Sequence, residues 1–317
     1  MKKVYLHIGH GKTGTSSLQS ILAAKQKKLA EHKVLYPAHP SFQQALRHHV
    51  SAGNIQATET EDWLETIVIP AVLANPDYDT FIFSSESLFW HAQPLLSGFK
   101  NHRHDLQFYV ILCTRNPIDL VCSTYQQAVK RAGYTQDIDY YIESGGFTEK
   151  TTAQTASLLD QFDESGIPYS LLNYSRLGFA VAQHIAVAMK IDKILQIPKH
   201  PGPIVNRSLS TEELQFIIMI NSVLGAQAGS AVSDALVSSL PKVQAARLEI
   251  SHSALEVLQQ NLKPLVEKIN LRLATDDFLM IESPSVHISE RGTHFLHLSS
   301  NQSFIAAKAL EKWFQTI

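Results

Sequence analysis

The stretch "KVYLHIGHGKTGTSSLQSIL", residues 3–22, decides how the rest of the chain is read. Its first part is an apolar, β-branched run that reads as a buried strand ending at Gly9. Its last part opens a helical pattern, with apolar residues at Leu18, Ile21, Leu22 and Leu29. Between them lie Gly11, Lys12, Thr13, Gly14, Thr15, Ser16 and Ser17, where glycines alternate with a lysine and hydroxyls. Glycines let backbone N–H groups turn inward, and the start of a helix adds a partial positive charge. Strand, glycine turn and helix together make a cradle for an anion.

Working outward, the same alternation recurs. "DTFIFSSES" is a short apolar run closed by hydroxyls and Glu86, and "LQFYVILCTRNP" is a strong strand stopped at Pro117. Pro117 suits the first turn of the next helix, "PIDLVCSTYQQAVKR". "DWLETIVIPAVLAN" is helical with a bend or break expected at Pro70. "TAQTASLLDQFDESG" is a further helix, and "PYSLLNYSRL" a fourth strand. Strands alternating with helices imply a parallel sheet flanked by helices, an α/β fold in three layers. Such sheets bind ligands at the carboxyl ends of their strands, where Lys12, Glu86, Arg115 and Tyr174 fall. Past residue 205 the strand signal fades; Ser210 and Glu213 form a capping pattern and helices follow. The expected organisation is one domain over 1–317, with an α/β core at 1–205 and a mostly helical region at 206–317. The final helix is amphipathic, and whether it packs on its own core or on a partner is open, as is the oligomeric state.

With 317 residues, 44% hydrophobic and 18% charged, the chain is long enough for a substantial core. A net charge of −2 gives no general attraction to nucleic acid or anionic membrane, so any anion site is local. No apolar stretch is long enough to span a bilayer, and the first residues lack a signal-peptide pattern, which reads as a cytoplasmic protein. Cys113 and Cys122 are too few for a disulfide framework and read as buried thiols. The histidine pairs His48–His49 and His102–His104 lack companion ligands at metal spacing, so no metal site is expected.

The loop can be compared with the phosphate-binding pattern G-x-x-x-x-G-K-[ST]. Gly9, Gly14 and Ser16 fill its two glycines and its hydroxyl, but Thr15 stands where the lysine belongs. Lys12 sits three residues earlier, at the crown of the loop. A nucleoside triphosphatase would also use an acidic residue at a strand end to hold magnesium. The strands here end "FIFSSE" and "VILCTRNP" without that aspartate.

"HIGHGKTGTSSLQ" followed by "ILCTRNPIDLVCSTYQQAVKR" resembles the sulfotransferases that use 3′-phosphoadenosine-5′-phosphosulfate (PAPS), the bacterial carbohydrate-type members above all. About 55 residues carry the likeness, and "VNRSLSTEELQFIIMIN" is similar to a late segment of those relatives. The resemblance implies a P-loop-like core, no metal, and 3′-phosphoadenosine-5′-phosphate (PAP) as product. It implies that Gly11, Lys12, Thr13, Gly14, Thr15, Ser16 and Ser17 hold the 5′-phosphosulfate. Arg115 and Ser123, eight residues apart as in the family, would grip the 3′-phosphate, with Arg207 as a further contact. The guanidinium's planar fork of donors suits that role. Lys12 would stabilise charge in transfer of a sulfuryl group to a hydroxyl, or less expectedly an amine, of a carbohydrate or small molecule. Glu86 is the candidate base, with His7 at the end of the first strand as runner-up. Phe89 and Trp90, next to Glu86, read first as core residues and second as the lining of an acceptor cleft. A P-loop kinase or triphosphatase, or a non-catalytic nucleotide-binding protein, are the competing readings.

Overall fold

Residues 4–8 form the buried part of the central strand: Val4, Leu6, His7 and Ile8 are wholly buried in strand β1 (Lys2–Gly9). A strand covered on both faces reads as a continuous apolar run rather than an alternating one. The computed structural model describes residues 1–46, 53–58, 61–145, 149–197, 207–246, 248–281, 286–288 and 298–316. The chain divides into two compact units, each assembled from separated segments.

The first unit comprises Met1–Arg115, Lys150–Pro201 and Leu265–Leu279. β1 is followed by helix α1 (Thr15–Ala24), then by strands β2 (Val34–Leu35), β3 (Thr80–Ser85), β4 (Leu106–Thr114) and β5 (Tyr169–Asn173). They form one sheet in the order β2-β3-β1-β4-β5, with every pairing parallel. This is the α/β, parallel-sheet architecture expected from the alternation of elements. β1 is central: the chain leaves it to build one side, then returns across it to build the other. That reversal is the point at which such sheets bind ligands. Register levels the strand ends, since Ile8 pairs with Ser85, Gly9 with Cys113 and Thr114 with Asn173. The residues just beyond, in the loop after Gly9, at Glu86, at Arg115 and at Tyr174, therefore rise along one edge.

Alternation sorts the strand side chains between two helical layers. Tyr5, Ile82, Ile111 and Cys113 pack with Leu18 and Leu22 of α1, with Leu29, and with Val181 and Ile185. On the opposite face, Phe108 meets Phe99 of the helix Gln93–His102 edge-on, centroids 6.1 Å apart.

Three local readings are refined. The helical run after residue 15 breaks at Lys25 into Thr15–Ala24 and Gln26–Glu31. There the Gln26 side chain donates to the Tyr36 carbonyl at 3.0 Å, and Leu29 is wholly buried. The helix around Pro70 carries a π-helical turn, Leu64–Val68, just before the α-helix Ile69–Ala74. Proline removes one i→i−4 donor, and a π-turn is one way to absorb the loss. β2 is two residues long, too short to show a period in sequence.

Because β2 pairs only with Thr80 and Phe81, the rest of the β3 edge needs other partners. Asn54 supplies them: its side chain donates to the Ile82 carbonyl (2.9 Å) and accepts from the Ser84 amide (2.7 Å), while its own amide donates to the Ser84 carbonyl (3.1 Å).

The second unit comprises Asn116–Glu149, Gly202–Pro264 and Met280–Ile317. Its helices include Pro117–Ala132, Thr211–Leu224, Ala226–Ser239 and Ser300–Phe314, beside a short parallel pair, β6 (Leu248–Ile250) and β7 (Val286–Ile288). Pro117 stands in the first turn of its helix, as expected, and the Ser210–Glu213 capping box is formed in full. Cys113 and Cys122 are both buried, and neither is in a disulfide. Among the described residues no helix is long and apolar enough to cross a membrane.

Replacing Asn54 by alanine should destabilise the protein by about 2 kcal/mol, since it leaves a buried amide and carbonyl of β3 unpaired. Urea denaturation measures this; a loss below about 0.5 kcal/mol would mean that the side chain does not serve as a strand partner.

Candidate functional site

The turn between β1 and α1 is built by two glycines with different tasks. A Cβ on Gly9 would stand 2.8 Å from Thr13 Oγ1 and 2.9 Å from the Thr15 methyl, so the strand must end on a residue without one. Gly14 has φ 79°, which L-residues rarely adopt, and caps α1 without a side-chain hydrogen bond. Lys12 also has a positive φ, 75°, but carries a side chain. Such a residue is strained by about 1–3 kcal/mol and persists only where its surroundings hold it.

Three successive carbonyls of the loop are each tied by a side-chain donor. The Thr13 hydroxyl donates to the His10 carbonyl at 2.7 Å. His10 Nδ1 donates to the Gly11 carbonyl at 2.8 Å, and Arg115 Nη1 to the Lys12 carbonyl at 3.1 Å. In a trans peptide the carbonyl and the following N–H point in opposite directions, and no peptide here is cis. The amides of Gly11, Lys12 and Thr13 therefore point away from those donors. Consecutive amides turned away from those donors and followed by a helix start have the arrangement that an anion-binding nest requires.

Glu86 and Arg115 meet this loop from the neighbouring strand ends. The Thr15 hydroxyl donates to Glu86 Oε1, and Oε2 lies against Gly11, 3.5 Å from where a Cβ would be. The Arg115 guanidinium lies over the Tyr174 ring, 5.3 Å from its centroid, and that ring in turn packs against Gly14. Arg115 Nε is buried with no hydrogen-bond partner among the described residues. A buried guanidinium nitrogen left unpaired fits an anion that would complete it.

The hydroxyls divide. Thr13 and Thr15 are buried and spend their protons on the loop and on Glu86, whereas Ser16 is half-buried and Ser17 exposed. Beside Glu86, Phe89 is wholly buried and Trp90 is 49% exposed, stacked edge-on at 4.9 Å. Phe89 is thus core, the first of its two readings, and Trp90 is presented to solvent.

Two of the residues singled out by sequence have other work. His7 is wholly buried; its Nδ1 lies 2.8 Å from Ser84 Oγ and its Nε2 3.5 Å from Cys113 Sγ. Burial pushes the Cys113 thiol up to about 12 and His7 down to about 4. Both groups are therefore neutral, and each ring nitrogen has one partner, Ser84 Oγ at Nδ1 and Cys113 Sγ at Nε2. With both nitrogens engaged and no exposed surface, His7 is a packed link between strands and does not suit the role of base. Arg207 lies in the second unit, 5% exposed, with all its N–H groups committed. It pairs bidentately with Glu213 at 2.6 and 2.8 Å and donates to the carbonyls of Leu240, Ser208 and Leu236. Burial alone would raise the Glu213 pKa, but the bonds from Arg207, the Ser210 amide and Gln302 hold it below its ordinary value. This arginine is a structural ion pair and has no donor left for a phosphate. Ser123 also lies in the second unit, half-buried on the helix Pro117–Ala132. His48 and His49 fall outside the described residues.

Sequence reasoning passed over His10. It is 3% exposed, edge-on to Phe89 at 5.4 Å, and pushed down to about 4 by burial, with Arg115 adding to the fall. Its place between two loop glycines was the one available signal. Neither a scan of protein-family models nor a search of curated proteins returned a match for this chain.

Two outcomes follow. His7 and His10 titrate near 6.5 when unfolded but near 4 when folded. Between those values the unfolded chain binds protons that the folded chain does not, so stability falls as pH falls through that window. Urea denaturation at pH 7 and pH 5 should show a loss of about 2 kcal/mol per histidine, before most carboxylates titrate; no loss would mean these rings are solvated. Arg207→Ala should cost about 3–5 kcal/mol by stranding a buried carboxylate, read by thermal or urea unfolding. A variant of near wild-type stability with weakened PAP binding would reverse this assignment.

Proposed function

We propose that the protein is a sulfotransferase that uses PAPS, transferring a sulfuryl group to a hydroxyl of a carbohydrate or small molecule. The observation that carries this reading is the convergence of a carboxylate and a guanidinium on the amide-lined loop after β1. Glu86 touches it through Thr15 and Gly11, and Arg115 through the Lys12 carbonyl. A kinase-type loop would carry a lysine at position 15, where this chain has Thr15.

Bound here, the nucleotide supplies a sulfuryl group on a phosphate leaving group. The amides of residues 11–13 and the start of α1 would hold its anionic end. Lys12, at the crown, would offset the charge that grows on the leaving oxygen. Such preorganised donors are worth about 10²–10³ in rate each. The Nε–H of Arg115 would donate to a phosphate oxygen, with the Tyr174 face fixing the guanidinium plane. Glu86 would take the acceptor's proton as the new O–S bond forms and the S–O bond to phosphate breaks. Thr15 holds Oε1, so Oε2, the oxygen facing Gly11, is the one placed to act.

The test is a thermal shift followed by kinetics. PAP without magnesium should raise Tm, and ATP with magnesium should raise it far less. Lys12→Ala and Glu86→Gln should each lower kcat about 10²–10³-fold towards an acceptor found by screening. Preference for ATP with magnesium would favour a kinase, and transfer unaltered in both variants would remove the assigned roles.

A further inference from the structure

The strained residue of the loop, Lys12, has a simple way to relax. Rotating the peptide between Gly11 and Lys12 by half a turn would carry its φ from 75° to the ordinary negative side. Gly11, without a Cβ, can follow such a rotation at little steric cost. The same flip would reverse the site's electrostatics: the Lys12 amide would leave the nest, and the Gly11 carbonyl would point into it. A side chain holds the carbonyl of this peptide. His10 Nδ1 lies 2.8 Å from the Gly11 carbonyl, and since a carbonyl only accepts, Nδ1 carries the proton. The ring is held by burial and by its edge-on contact with Phe89 at 5.4 Å. Phe89 is itself anchored, its carbonyl accepting from Gln154 Nε2 at 3.1 Å.

We propose that His10 is a positioning residue: its Nδ1–H keeps the Gly11–Lys12 peptide in the anion-binding orientation against the strain at Lys12. The role concerns a bond donated at one ring position, and side-chain isosteres separate it from packing. An asparagine amide nitrogen falls near where Nδ1 stands, whereas a glutamine amide nitrogen reaches towards the Nε2 position. Packing ranks the two the other way, because glutamine fills more of the imidazole's volume.

The inference rests on the reading of this loop as an anion site, and two probes separate their failures. Calorimetric titration of the full chain with inorganic pyrophosphate and with PAP gives dissociation constants for wild type, His10→Ala, His10→Asn and His10→Gln, with circular dichroism confirming that each is folded. The expected result is binding weakened about tenfold for His10→Ala and His10→Gln, the loss of one oriented donor, and within about threefold of wild type for His10→Asn. If His10→Ala is unfolded, the asparagine–glutamine order decides alone. Glutamine equal to or better than asparagine overturns the inference, as does wild-type affinity in every variant. Pyrophosphate binding without PAP binding would remove the sulfotransferase reading, and the asparagine–glutamine order measured with pyrophosphate would still decide the role of His10. Wild type that binds neither probe overturns both.

Discussion

Three consecutive carbonyls, those of His10, Gly11 and Lys12, accept hydrogen bonds from Thr13, His10 and Arg115. Their fixed orientation is the constraint on which the loop's shape depends, because each carbonyl held in place also fixes the direction of the next amide. The donors come from two places in sequence. Thr13 and His10 belong to the loop itself, and Arg115 follows directly on β4, the neighbour of β1 in the sheet. The loop is thus shaped partly by local chemistry and partly by strand register. Lys12 sits where these demands meet, with its φ at 75°. A glycine there would carry less strain, so the surrounding hydrogen bonds hold the lysine in this conformation.

Beneath the loop the sheet carries a polar link where a purely apolar core would be simpler. His7 joins Ser84 of β3 to Cys113 of β4 across the central strand. Gln19 of α1 reaches the same serine, and a Cβ on Gly9 would come within 3.4 Å of the His7 ring. Hydrogen-bonded buried polar groups favour one arrangement. Here they join the two strands that deliver Glu86 and Arg115. A histidine at a strand end beside a glycine-rich loop invites a catalytic reading, and burial of both ring nitrogens redirects it to alignment. Arg207 repeats the lesson in the second unit. Before a helix cap it has the look of a late phosphate ligand, yet Glu213, the capping-box residue, and three backbone carbonyls take all its N–H groups.

Much of the first unit was legible because its signals are local. β1, β3, β4 and β5 announce themselves as apolar runs bounded by turn residues, and Pro117 and the Ser210–Glu213 box mark their helix starts where expected. The break at Lys25 was not legible, for it is made by Gln26 reaching Tyr36 and by burial of Leu29. Nor was Asn54, a polar residue in a loop that completes the edge of a strand 28 positions away. The interleaved segments of the two units leave no compositional mark either.

By itself the sequence determined the strand–turn–helix at its start, the parallel sheet that follows from alternating elements, and the clustering of Lys12, Glu86 and Arg115 at strand ends. Those properties follow from periodicity, from glycine's freedom and from chain order. Only the tertiary structure decided which polar groups are spent. It tied Thr13 to the loop and Thr15 to Glu86, sealed His7 and Arg207 into buried hydrogen bonds, left Arg115 Nε without a partner among the described residues, and brought His10 into view. The reason is physical: whether a donor is available depends on which acceptor stands about 3 Å away, and in a folded chain that acceptor is set by packing between segments far apart in sequence.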